Sequence, residues 1–243
     1  MVQVWKSFGD TPVLCELDLE VNKGELLVLL GPSGCGKTTT LRIIAGLELP
    51  DRGTIVFNGK EMTHIPPENR RIGYVFQSIA LFPHLSVAKN ISFGLETLRI
   101  PQTRIKERTQ ELIELVGLQG LETRYPRELS GGQQQRVAIA RALAPSPQIL
   151  LFDEPLANLD AALKQALKLE IRRIQKETRV TTVYVTHDQV EAFSIADCIA
   201  VMNEGRIEQV GPPMAIYKHP KTVFVDQFVR QSLDHFREFL KSV

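Results

Sequence analysis

Eight residues, Gly31-Pro32-Ser33-Gly34-Cys35-Gly36-Lys37-Thr38, constrain this chain more than any other stretch, because of what flanks them. Before them runs Leu26-Leu27-Val28-Leu29-Leu30, a short apolar segment suited to a buried strand. After them, Leu41, Ile43, Ile44 and Ala45 recur at helical spacing, and Gly46 and Pro50 close the element. Strand, glycine-rich turn and helix in that order fit G-x-x-x-x-G-K-[ST], the loop that cradles the phosphates of a nucleoside triphosphate. Glycines let the loop curl so that successive backbone N–H groups point inward as an anion nest. The helix adds its partial positive charge, Lys37 is placed to reach the β- and γ-phosphates, and the Thr38 hydroxyl to ligate Mg²⁺. Nucleotide binding is the first expectation.

Length and charge bound the rest. At 243 residues the chain suits one large α/β domain, or a core domain with a subdomain, and can bury a core without disulfides. Basic and acidic residues balance, 29 against 28, so overall charge gives no support for a nucleic-acid partner. The three cysteines, Cys15, Cys35 and Cys198, form no C-x-x-C pair, which argues against a disulfide framework or a zinc site and fits a reducing, cytosolic setting. No signal-peptide pattern is present at the N-terminus, and no apolar run approaches the ~20 residues of a membrane span. Work at a membrane would be done from its surface.

In chain order, the alternation Val13–Val21 predicts a half-exposed strand, and residues 54–57 a strand entering a turn at Asn58-Gly59. Residues 72–76 read as a further strand ending at Gln77. Ser86 opens a helix, Thr103 caps another that Gly117 stops, and a third runs from Ser130 to Pro145. Ile149–Phe152 is a fully apolar strand ending in Asp153-Glu154, Asp160 to Arg179 is helical, and Thr181–Val185 is a strand followed at once by His187. Ile199–Met202 and Arg206–Val210 form a hairpin, and short helices follow Pro213, with Phe236, Phe239 and Leu240 as one apolar face packing on the core. The chain therefore reads as an α/β core over 1–77 and 146–243 with a helical insertion over 78–145.

Two further stretches carry chemistry. An Asp at the end of a buried strand, such as Asp153, supports Mg²⁺ opposite the loop hydroxyl in phosphate-loop enzymes, and the neighbouring Glu154 is placed to orient or deprotonate a water. Leu129-Ser130-Gly131-Gly132-Gln133 sets a serine and two glycines at a helix start, a second phosphate-binding N-terminus. Two such cradles in one chain point to action on each other's nucleotide across a dimer.

With these motifs in order, the sequence resembles the nucleotide-binding subunits of ABC transporters over nearly its whole length. The carriers are the P-loop Gly31–Thr38, the Q-loop Gln77, the signature Leu129–Gln133, the Walker B run Ile149–Glu154, the D-loop ending at Asp160 and the switch histidine His187. The resemblance implies an α/β P-loop NTPase (RecA-like) core with an antiparallel β subdomain and an inserted α-helical subdomain. It further implies that Phe8 stacks on adenine, with Trp5 as a nearby rival. Gly31, Pro32, Ser33, Gly34, Cys35, Gly36, Lys37, Thr38 and Thr39 would bind the phosphates of ATP, and Thr38, Gln77 and Asp153 would hold Mg²⁺. Glu154 would act as general base, with Gln77 and His187 completing the catalytic set. Ser130, Gly131, Gly132, Gln133 and Asp160 would close on the ATP of a second copy or a paralogous subunit, with Arg124 and Arg127 as further candidates. Transmembrane permease subunits would dock near Gln77 at the cytoplasmic face of the membrane, an external solute-binding protein would act through them, and no nucleic acid is expected.

Within the family, Pro66–Arg70, Ala80–His84 and Thr186–Ala192 resemble importers of sugars, sulfate, polyamines and ferric iron. Three departures from that group stand out: a shortened first strand, Ala157 where a serine is common, and an end at Val243 where many members continue into a β-rich domain. A soluble ABC-type ATPase working on nucleic acid or ribosomes would carry long coiled coils or two such domains, and an exporter is often fused to membrane helices. Neither feature is seen. The position of Cys35 at a helix N-terminus predicts a favoured thiolate, shielded by bound ATP.

Overall fold

The computed structural model describes residues 1–98, 100–157 and 159–230. Contacts within the chain divide it into two compact units, Met1–Arg70 with Thr181–Val243, and Arg71–Val180. Phe236, Phe239 and Leu240 lie outside the described residues.

The first unit opens with β1 (Val2–Phe8) and β2 (Thr11–Leu17), an antiparallel pair. The alternation that predicted a strand as far as Val21 outlasts its partner: Leu17 already lies opposite Val4, and beyond it Leu19 exchanges bonds with the first residue of the chain, its N–H donating to Met1 O at 3.1 Å and its carbonyl accepting from the Met1 ammonium at 2.8 Å. β3 (Leu26–Leu30) follows, and all five of its side chains are fully buried, as expected of a strand covered on both faces. α1 (Lys37–Ala45) ends at Gly46, whose φ of +78° suits a residue without Cβ. A Cβ there would also fall 2.5 Å from Nε of Arg70, so Gly46 is required twice over.

β4 (Arg52–Thr54) pairs antiparallel with β1, giving a three-stranded sheet in the order β2-β1-β4. β5 (Val56–Phe57) and β6 (Lys60–Glu61) turn through Asn58 and Gly59, both at positive φ, the backbone of a two-residue hairpin whose twist matches its strands. The strand predicted over 54–57 is thus broken at Ile55. That residue is buried and is held instead by Thr63 Oγ1, which accepts its N–H at 3.0 Å, and by Met62 N, which donates to its carbonyl at 2.8 Å.

The second unit begins with β7 (Ile72–Val75), followed by α2 (Val87–Thr97), which Ser86 caps through the Lys89 N–H at 3.4 Å. α3 (Gln102–Leu115) starts two residues earlier than its sequence suggests, with Pro101 as the capping residue and Thr103 inside the first turn. Proline has no N–H to satisfy, so it opens a helix at no cost in hydrogen bonds. α4 (Gly131–Leu143) lies close on β7, where a Cβ on Gly73 would sit 2.5 Å from the Ala142 carbonyl. β8 (Ile149–Asp153) pairs parallel with β7. α5 (Ala161–Thr178) is capped by Asp160 at one end and stopped by Arg179, at φ +51°, at the other.

The chain returns to the first unit with β9 (Thr181–Thr186), α6 (Gln189–Ile195), the hairpin β10 (Cys198–Asn203) and β11 (Arg206–Gly211), and α7 (Pro213–Lys218). The order there is β11-β10-β3-β9, with β10, β3 and β9 parallel and β11 antiparallel. α6 has no counterpart in the sequence reading, because its seven residues are too few for a periodicity to show. β3 and β9 end at Leu30 and Thr186 on the same row, and so deliver the glycine loop and His187 to one edge of this sheet.

Candidate nucleotide site

The glycine loop leaves the C-terminal end of β3, the edge of a parallel sheet where ligands collect in folds of this kind. Gly34 and Gly36 hold φ of +81° and +103°, which side chains other than glycine's rarely tolerate. The loop is backed tightly by the β10–β11 hairpin. A Cβ on Gly31 would approach the Met202 carbonyl to 2.2 Å, and one on Gly36 would meet Leu14 Cδ2 at 2.7 Å and Met202 Cε at 2.9 Å. Gly205 at the hairpin turn donates its N–H to the Cys35 carbonyl at 3.1 Å. α1 opens at Gly36 with no side chain capping it, so its first N–H groups stay available to an anion.

Lys37 is buried, and its Nζ donates to the carbonyls of Gly31 and Pro32, each at 2.8 Å, with Cys35 Sγ at 3.8 Å. The ammonium thus bridges the two ends of the loop. Ser33, Gly34 and Thr38 are exposed on the open side, and Pro32 and Thr39 are half-buried. Cys35 overturns one expectation. It is buried, and desolvation pushes its thiol pKa up; the neighbouring Lys37 only partly opposes this, so the thiol rather than the thiolate is favoured. All three cysteines are free.

Phe8 ends β1 with half its surface exposed and the Lys6 ammonium 5.1 Å from its ring centre, whereas Trp5 is partly buried within the strand. His187 is exposed directly after β9.

The second unit holds the other candidates. Asp153 closes β8, largely buried, and Tyr74 Oη on β7 donates to its Oδ2 at 3.0 Å. Glu154 follows in the left-handed region, at φ +43°. An unforced residue avoids that conformation, and backbone strain of this kind concentrates where a side chain must be aimed. Sequence alone gave no sign of it. Gln77 is exposed beyond β7, next to the exposed Phe76, which stacks on Tyr74 at 4.3 Å. The segment after it is shaped by the fully buried Asn90, whose side chain accepts from Phe82 N and donates to the carbonyls of Phe82, Leu85 and Ser86.

Ser130 caps α4 by a reciprocal pair of bonds: Gln133 N donates to Ser130 Oγ at 3.3 Å, and Ser130 N to Gln133 Oε1 at 2.9 Å. Gly131 has room for a Cβ, but one on Gly132 would press to 2.6 Å on Leu163. Asp160 accepts the Leu163 N–H at 2.9 Å, and Arg124 pairs with Glu128 at 3.0 Å.

Sequence reasoning missed the buried side chains of Arg70 and Glu191. Arg70 has no exposed surface; it donates to the Ile43 and Ile44 carbonyls at the end of α1, both at 2.8 Å, and to those of Ile65 and Thr63. Glu191 is buried beneath the turn that carries His187. Each stands within a stretch quoted above only for its resemblance, Pro66–Arg70 and Thr186–Ala192.

Among the described residues no three His, Cys, Asp or Glu side chains cluster as a metal cage, and no helix is long and apolar enough to cross a membrane. A hydroxyl, an amide oxygen and one carboxylate are nevertheless the hard-oxygen donors Mg²⁺ takes when phosphates and water supply its remaining ligands.

Comparison with known proteins places the chain in a family. The sequence model of the ABC transporter family matches residues 14–157. The chain is 54% identical over 228 residues to the sulfate/thiosulfate import ATP-binding protein CysA of Gloeobacter violaceus, covering 94% of this chain and 66% of that protein. It is 55% identical over 217 residues to the Fe(3+) ions import ATP-binding protein FbpC 2 of Rhizobium meliloti, covering 89% and 55%. The chain thus spans less than two thirds of the length of these relatives. Among solved structures, the ATP-binding cassette MJ0796, dimeric and bound to ADP and Pi after hydrolysis, superimposes with a TM-score of 0.75 at 31% identity over 87% of this chain and 97% of its own.

Proposed function

From its membership of the ABC transporter family, to which this chain belongs, we propose that it is an ATP-hydrolysing subunit that pairs head to tail and powers import of a small solute. The observation that carries this reading is the glycine loop, with Lys37 bridging its ends and an uncapped helix N-terminus behind it. Gly31 to Thr39 bind the phosphates through backbone N–H groups and the ammonium, and the exposed ring of Phe8 stacks on adenine. Thr38, Gln77 and Asp153 would hold Mg²⁺, which would supply positive charge against the phosphates. Glu154, aimed by its left-handed backbone, orients a water and takes its proton. His187 meets the γ-phosphate.

Ser130, Gly131, Gly132, Gln133 and Asp160 close on the ATP held by a second copy or a paralogous subunit; the dimeric relative with ADP and Pi supports this arrangement. Functionally, 1–77 and 146–243 form the ATP-binding core and 78–145 the signature subdomain. Permease subunits dock near Gln77, where Phe76 is exposed, at the cytoplasmic face of the membrane, and an external solute-binding protein acts through them. The two curated relatives are both import ATP-binding proteins, yet one serves sulfate and the other Fe(3+) at nearly equal identity. The cargo is therefore set by the membrane subunits and not by this chain.

The test is Glu154→Gln beside Lys37→Ala. Glu154→Gln is expected to bind Mg-ATP as the parent does, to lose nearly all turnover and to accumulate as a dimer in size-exclusion chromatography with light scattering. Lys37→Ala is expected to weaken ATP binding by roughly tenfold or more, the size of a lost charge-assisted hydrogen bond. A Glu154→Gln protein that stays monomeric at saturating Mg-ATP overturns the pairing, and near-parental ATP affinity in Lys37→Ala overturns the loop assignment.

A further inference from the structure

His187 lies in a three-residue turn whose two flanking residues are both tied to one buried glutamate, Thr186 to its carboxylate and Asp188 to its backbone N–H. Glu191, on α6, is almost completely buried, as are Tyr184 and Thr186 on β9. Tyr184 Oη donates to Glu191 Oε1, and Thr186 Oγ1 donates to Glu191 Oε2 at 3.2 Å. The same Thr186 oxygen accepts the Asp188 N–H at 3.0 Å, and Asp188 Oδ1 accepts the Glu191 N–H at 2.9 Å. The bonds close a ring that runs from the Glu191 side chain through Thr186 and Asp188 back to the Glu191 backbone. His187 is the residue in that ring whose side chain points outward, exposed to solvent.

Chemistry explains why a carboxylate stands at this point. A hydroxyl donates one proton, and Thr186 must both donate and accept to tie the strand end to the turn. An anionic acceptor fixes that direction, because it takes protons from Tyr184 and Thr186 alike and offers none. Buried, such a carboxylate is costly, and surface packing alone would not call for it. We propose that Glu191 is a positioning residue for His187: through Thr186 and Asp188 it fixes the turn so that the imidazole meets the terminal phosphate without first being ordered by it.

This rests on the reading of His187 given above, and the experiment separates the two. In the Glu154→Gln protein, which retains ATP, the imidazole Cε1–H resonance of His187 is followed by NMR and assigned by its loss in His187→Ala. With Glu191 present, Mg-ATP is expected to shift and sharpen this resonance. Adding Glu191→Gln places an amide N–H where a hydroxyl now donates; the shift is expected to fall by at least half while the Kd for ATP changes less than about threefold. In the otherwise native chain, Glu191→Gln is expected to lower kcat roughly tenfold with little change in KM, and to have no further effect in a His187→Ala background.

An undiminished resonance shift, or an equal fold-loss in the His187→Ala background, overturns the positioning role. Absence of any shift with Glu191 in place overturns the phosphate reading of His187 itself. Should Glu191→Gln fail to fold by circular dichroism, Tyr184→Phe decides. It removes one donor to the same carboxylate and leaves the Thr186 tie, and it is expected to reduce kcat about twofold to threefold with the same dependence on His187.

Discussion

Two helices of this molecule begin at a serine- and glycine-rich turn, and they begin in opposite ways. α1 starts at Gly36, in the left-handed region and without a capping side chain, whereas α4 starts at Ser130, whose hydroxyl and whose partner Gln133 satisfy each other's backbone. The glycines differ to match. Gly34 and Gly36 are needed for positive φ, while Gly131 and Gly132 adopt ordinary backbone, and Gly132 is small because Leu163 lies over it. The first turn is therefore preorganised for an anion and the second is closed on itself. An anion reaching α4 must compete with an intact capping box; under the proposed pairing, that suits a contact formed only when a second subunit presents a nucleotide.

The largest expected effect tests that contrast directly. Gly36→Ala combines a forbidden φ with overlap on Leu14 and on the Val13 carbonyl at 2.9 Å, so ATP binding by the chain alone is expected to be lost in calorimetric titration. Gly132→Ala pushes only on the flexible end of Leu163. It is expected to leave ATP binding unchanged and to impair the ATP-dependent dimer instead. Equal loss of ATP binding in both would erase the distinction between the two turns.

A smaller effect is expected from Ser130→Ala. Losing an N-cap costs about 1 kcal/mol, which lowers Tm by about 2–4 °C in a chain of this size. ATP affinity is expected to stay as it is, because the capping box has no part in the first turn; a fall in affinity would break the comparison from the other side.

The smallest effect concerns Cys35. Its raised pKa keeps the thiol protonated at neutral pH, so alkylation is expected to be slow there and to accelerate only as pH rises beyond the range of a free thiol. The sign for stability follows: the folded chain holds this proton more tightly than the unfolded one, so the contribution is complete below the free-thiol pKa and is lost as pH climbs through the raised value. Mass-spectrometric labelling from pH 7 to 10, with and without Mg-ATP, measures both this rate and the shielding.

Much of this was legible in the residues. The run 26–30 and the motif after it announced strand, loop and helix, because a fully buried strand and a glycine turn leave unmistakable composition. The serine of 129–133 was readable as a cap for the same local reason. What escaped were features whose cause lies far along the chain or in geometry. Arg70 closes a helix that ends 25 residues earlier, Glu191 acts by burial under a turn, and the left-handed backbone of Glu154 has no signature in residue type. The thiolate expected at Cys35 failed similarly: a helix N-terminus was visible in sequence, but the burial that outweighs it was not.

The hydrogen bond from Gly205 to the Cys35 carbonyl has a consequence for how the protein comes into being. The loop is encoded early, yet the hairpin that backs it is encoded 170 residues later, the difference between positions 205 and 35. At a synthesis rate of about 10 residues per second, the ribosome needs about 17 s to supply that support. A nascent chain arrested before residue 205 would carry the whole phosphate motif without the backing that shapes it. Competence to hold ATP would thus wait on a hairpin made long after the loop itself.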